Sequence, residues 1–184
     1  TFSTKFAIDS VCFHNHIPPE LTAIIHTYVY WFLKNDTIGS AVNMWCSDYH
    51  HHRHQCLMLY GHISYWDTSR VTNMRKLFDG RIDFNDNINS WDVSNVTDLS
   101  LMFCGATSFN QPLQDWDVSN VTNMRYLFKD AVCFNQDLSC WIVSEVRNMS
   151  YMFAGATAFN QPLNSWNVSN VTNMSHMFMK ASSF

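Results

Sequence analysis

The chain has 184 residues, about one domain's worth. Hydrophobic residues make up 47% and charged residues only 14%, a balance that excludes a disordered chain, which needs high charge and low hydrophobicity. Eleven basic residues against fifteen acidic ones give a net charge of −4, so the chain lacks the basic footprint of a nucleic-acid binder.

The first residues, TFSTKFAIDSVCF, show no clean apolar stretch with a small-residue cleavage site and do not read as a signal peptide. No stretch reaches the roughly 18 apolar residues of a membrane span. Two prolines in IPPEL (17–21) mark a helix start. Leu21, Ile24, Ile25, Tyr28, Val29 and Phe32 then follow the i, i+3, i+4, i+7 rule, which predicts an amphipathic helix ending near Asn35. A second helical pattern runs from Thr37 through Ala41, Val42 and Trp45. A third runs from Gln55 to Tyr60 and stops at Gly61. Between them lies HHHRH (50–54), read as a solvated loop because a contiguous run cannot converge on one ion. Residues 1–62 are therefore expected to form a helical cap.

From residue 63 onward the chain repeats. Trp66, Trp91, Trp116, Trp141 and Trp166 recur every 25 residues without an insertion. Val71, Val96, Val121, Val146 and Val171 form a second column, and Met74, Leu99, Met124, Met149 and Met174 a third. Phe78, Phe103, Phe128, Phe153 and Phe178 form a fourth, followed by Phe84, Phe109, Phe134, Phe159 and Phe184. Like on like at a fixed period is the signature of units that bury their apolar face only against a neighbour. The indoles are expected to point inward, about 4.8 Å apart.

Ile88, Trp91 and Val93, with their equivalents in each unit, have the L-x-x-L-x-L spacing of a leucine-rich repeat strand. Five short parallel strands are predicted there. Thr72, Thr97, Thr122 and Thr172 then stand as N-caps of a short helix over N-M-x-x-L/M-F, closed at Gly80, Gly105 and Gly155. The fold class expected is an α/β solenoid over residues 63–184, its fifth unit incomplete. An Asn column (Asn85, Asn110, Asn135, Asn160) is read as a turn or amide ladder.

Residues between the inward positions of each predicted strand form the expected protein-binding face: Tyr65 and Asp67; Asn89 and Asp92; Gln114, Asp115 and Asp117; Ile142; Asn164 and Asn167. The Asp67, Asp92, Asp117 row is read as exposed polar surface, because a calcium ladder would have to continue through Ile142 and Asn167. Met177, Phe178 and Phe184 are expected to line an open end that further chain or a neighbouring subunit covers. Six cysteines show no C-x-x-C pair and read as reduced packing thiols. Nucleophile-elbow, P-loop, dinucleotide and zincin motifs do not occur, and only two Glu are present. No enzyme activity, cofactor, metal or small-molecule substrate is expected. The Asn-x-Ser/Thr motifs at Asn95, Asn120 and Asn170 coincide with the repeat and read as part of it.

The strings FNQPLNSWNVSNVTNMSHMF and FNQPLQDWDVSNVTNMRYLF resemble the BspA-like leucine-rich repeat of bacterial surface proteins, a resemblance that covers residues 63–184. It implies a protein-interaction or adhesion scaffold, here an accessory or structural subunit of an assembly inside a cell or a virus particle. IPPELTAIIHTYVYW also resembles the first helix of an F-box, which implies the alternative of a ubiquitin-ligase adaptor. A secreted adhesin is the other alternative.

Overall fold

A buried indole must place both its ring and its N–H. A computed structural model, which describes residues 33–184, shows how five of them are placed. All five repeat tryptophans are buried. The Trp91, Trp116, Trp141 and Trp166 Nε1–H groups donate to the carbonyls of Ile63, Ile88, Leu113 and Leu138, each 28 residues back, at 2.8–3.1 Å. Each unit therefore grips the one before it. Successive indoles lie 5.9–6.5 Å apart where they stack, offset rather than at the expected strand spacing. Phe78, Phe103, Phe128, Phe153 and Phe178 form a second stack at 5.5–5.6 Å, within 12° of parallel.

The secondary structure differs from expectation. Among the described residues there is no strand and no sheet, so the α/β solenoid of strands and helices is corrected, and with it the leucine-rich repeat description. The predicted strands are chains of tight turns. Within one unit, Trp91 N–H donates to Ile88, Val96 to Val93, Met102 to Leu99, Ala106 to Phe103 and Phe109 to Ala106. An N–H spent three residues back is not available to a strand partner. Only isolated parallel bridges remain, through Asn73, Asp98, Asn123, Asn148 and Asn173.

The predicted short helices are absent for a second reason. Lys76, Leu101, Tyr126, Tyr151 and His176 all lie in the left-handed region, at φ 56–63°. One left-handed residue stops a helix, and a non-glycine there costs about 1–2 kcal/mol. Here it turns alternate N–H groups toward the next unit. Leu99, Leu101, Phe103 and Gly105 donate to Asn123, Arg125, Leu127 and Lys129 at 2.7–3.0 Å, and the other three junctions repeat the pattern. All of these bonds run in one direction along the stack. The threonines are not caps: Thr97 and Thr122 give both N–H and hydroxyl to the preceding unit's threonine carbonyl.

Among the described residues two helices stand before the repeats, α1 (Ile38–Trp45) and α2 (His50–Tyr60), followed by a 3-10 turn, Ile63–Tyr65. HHHRH thus opens α2 and is not a loop. Gly61 closes α2 at φ 72°. Trp45 sets its ring edge-on to Trp66 at 6.1 Å and donates its Nε1–H to Asp86 at 2.8 Å. Asn35 Oδ1 accepts from the Thr72 and Asn73 N–H groups at 2.9 and 3.1 Å, standing in for the carbonyl that Thr97 and Thr122 receive from a preceding unit. The first predicted helix, which ends near Asn35, and the F-box resemblance fall almost wholly outside the described residues.

The Asn column is a ladder: Asn85, Asn110 and Asn135 Oδ1 accept from Asn110, Asn135 and Asn160 N–H at 2.9–3.0 Å. A second device is local. Asp67, Asp92, Asp117 and Asn167 each accept from the Ser N–H two residues on, at 3.0–3.1 Å. Ile142 interrupts this row and is 60% exposed. Ile142→Asp supplies the missing acceptor to Ser144 and is expected to raise unfolding stability by about 0.5–1.5 kcal/mol. Urea titration checks this, with Ile142→Ala as the control that should not gain.

Candidate functional site

The expected binding residues lie together on one side of the stack, on turns rather than on strands. Tyr65 is 62% exposed and the Asp67, Asp92, Asp117 row is exposed with Asn167. Their oxygens are largely committed to their own turns. The Ser119 hydroxyl and N–H hold the Asp117 carboxyl below the usual carboxylate range. Asn89 Nδ2 donates to Asp115 Oδ2 at 2.6 Å, and the Asp115 N–H donates to Asn89 Oδ1 at 3.1 Å. They line a shallow recess with Ser64, Tyr65, Asn87 and Ser90. Gln114 and Asn164 are exposed, and the Gln114 carbonyl accepts from Cys140 at 3.1 Å. At the last unit Met177 is buried, Phe178 half-buried and Phe184 54% exposed, with Phe178 and Phe184 stacked at 4.0 Å.

A second outward face was not expected. It carries the left-handed positions and their neighbours. Tyr126 and Tyr151 pack at 4.9 Å, and Tyr151 and His176 at 4.7 Å, 7° from parallel. Arg125 lies over the Tyr126 ring at 4.5 Å and donates to its hydroxyl at 3.1 Å. The sequence did carry a signal: this column reads Lys, Leu, Tyr, Tyr, His where the inward Val, Met or Leu, and Phe columns around it barely vary. A column that mixes Lys, Leu, Tyr and His shows no like-on-like stacking, so its ring contacts are not readable from the sequence.

The chemistry-bearing groups elsewhere are dispersed. Among the described residues no three His, Cys, Asp or Glu side chains converge as a metal site. His51 and His52 rings meet at 4.1 Å at the start of α2, and His52 Nδ1 bonds Ser47 Oγ at 2.9 Å. The five cysteines among the described residues are free. The Asn95, Asn120 and Asn170 amides donate to the carbonyls of Ser69, Ser94 and Ser144 at 2.7–2.9 Å, so these motifs serve the repeat. No described helix is long and apolar enough to cross a membrane.

A family described as Mycoplasma protein of unknown function, DUF285, matches residues 49–147 and 133–184. The chain belongs to this family. No curated protein and no solved structure matches it. The DUF285 match takes in α2 and every repeat unit, so the indole grip, the one-way ladder and both outward faces lie within it.

Burial pushes the Cys46, Cys56 and Cys104 thiols up to about 11. In this DUF285 chain they are expected to stay unalkylated at pH 8, while exposed Cys133 and Cys140 react. Iodoacetamide labelling read by mass spectrometry checks the order. Raising the pH toward 11 should bring the protected thiols into reaction, since their thiolates form only there.

Proposed function

We propose that this DUF285 chain is a non-enzymatic protein-interaction module, an accessory or structural subunit of a larger assembly. The resemblance of its repeat strings to BspA-like surface proteins supports a binding role. The observation that carries the reading is the split between inward and outward columns. Inward columns hold Trp, Val, Met or Leu, and Phe at nearly every level. At the left-handed position the backbone is the same in all five units, φ 56–63°, yet it presents Lys, Leu, Tyr, Tyr and His. A uniform frame with changing outward side chains is the arrangement a recognition surface needs. Folding alone explains the inward columns and leaves the outward ones free to vary.

Cross-linking in the native source, with the linked residues mapped, tests the reading. The expected result is a defined assembly whose links fall on the outward turn positions, including those around Ile142 or Tyr151. Recovery of the chain as an unlinked monomer would contradict it.

A further inference from the structure

We infer that the turn face bearing Tyr126, Tyr151 and His176 binds an acidic, extended segment of a partner protein; this deepens the interaction role proposed above and rests on it. The chain as a whole is acidic, at −4. This face is the exception. Around the left-handed turns it carries Arg75, Lys76, Arg125, Lys129 and Lys180 against Asp79 and Asp130, while Ser100, Ser150 and Ala154 of the same columns are buried. The two acids are already held by Lys76 at 3.8 Å and by Lys129. Arg125 and Lys180 stand exposed at either end of the aromatic row.

The row itself favours anions. Tyr151 stacks face to face on His176 and Tyr126 packs against Tyr151 at a 36° tilt, which leaves ring edges to meet a partner. Ring edges carry the positive side of the aromatic quadrupole, and phenol hydroxyls donate to carboxylates. The Arg125 guanidinium already leans on Tyr126, which holds its fork in place with donors to spare. The acidic turn row cannot compete for the same partner: exposed Asp67, Asp92, Asp115 and Asp117 would repel it. A carboxylate-rich segment is thus drawn to one face and turned away from the rest, which fixes orientation as well as contact. Base stacking, the other use of an aromatic row, needs open ring faces, and here Tyr151 is flanked by Tyr126 and His176 while Arg125 lies over Tyr126.

Fluorescence anisotropy with a labelled ten-residue oligoglutamate peptide tests this on the whole chain. Binding is expected at low salt, weakening as salt rises. Arg125→Glu with Lys129→Glu, and separately Tyr126→Ala with Tyr151→Ala, should each weaken it about tenfold. Asp92→Asn with Asp117→Asn should not weaken it. All six positions are outward, and circular dichroism confirms that each variant folds. Equal binding of a neutral peptide, indifference to both face variants, or tighter binding of a sulfated glycan or oligothymidine would each overturn the inference. Its failure and that of the interaction role are separable. Native cross-links on the Ile142 side without oligoglutamate binding sink only this surface assignment. Oligoglutamate binding by a chain that forms no native assembly sinks the proposed role.

Discussion

A tryptophan N–H buried away from water must find an acceptor, since leaving it unmade costs about 1–3 kcal/mol. In this chain the acceptor is a backbone carbonyl 28 residues earlier. That requirement couples period, register and burial. A unit one residue longer or shorter would carry the indole past its carbonyl and rotate every inward side chain with it. The four grips explain why no insertion interrupts the tryptophan column.

The one-way N–H ladder is the second consequence. Stacking the units brings backbone to backbone, and each junction needs donors aimed along the stack. A β-ladder would supply them with extended backbone, but the tight turns that carry Ile88, Trp91 and Val93 inward consume those N–H groups first. The chain instead places two left-handed residues four apart in each unit, such as Lys76 and Gly80, and the N–H groups of Met74, Lys76, Phe78 and Gly80 all point to the next unit. Glycine takes one such position at Gly80, Gly105 and Gly155, while Asp130 and Lys180 adopt it as non-glycine residues. A side chain at Gly155 would meet Asp130 Oδ1 at 2.2 Å.

The sequence showed the period and the side chains that face inward, because both follow from columns of like residues. Trp141, Val146, Met149 and Phe153 sit inside where their columns placed them. Secondary structure was not legible in the same way. Apolar spacings of two and three fit a leucine-rich strand as well as they fit successive turns, and nothing in Ile88–Val93 separates the two. The left-handed residues were hidden because Lys, Leu, Tyr and His seldom adopt that conformation. The outward acids were legible as a row, but not their engagement with serine N–H groups. The aromatic face was not legible because its column mixes Lys, Leu, Tyr and His and nothing marks two of them as stacked. The His run was placed in a loop because clustering was weighed for metal binding alone, while α2 begins at His50.

Hydrogen exchange of the indole protons, followed by NMR, tests the central grip most directly. The Trp91, Trp116, Trp141 and Trp166 Nε1–H signals should exchange only with global unfolding, at one common free energy. Rapid exchange of those four in the folded protein would contradict an indole clamp between units, and with it the stacking derived from that clamp.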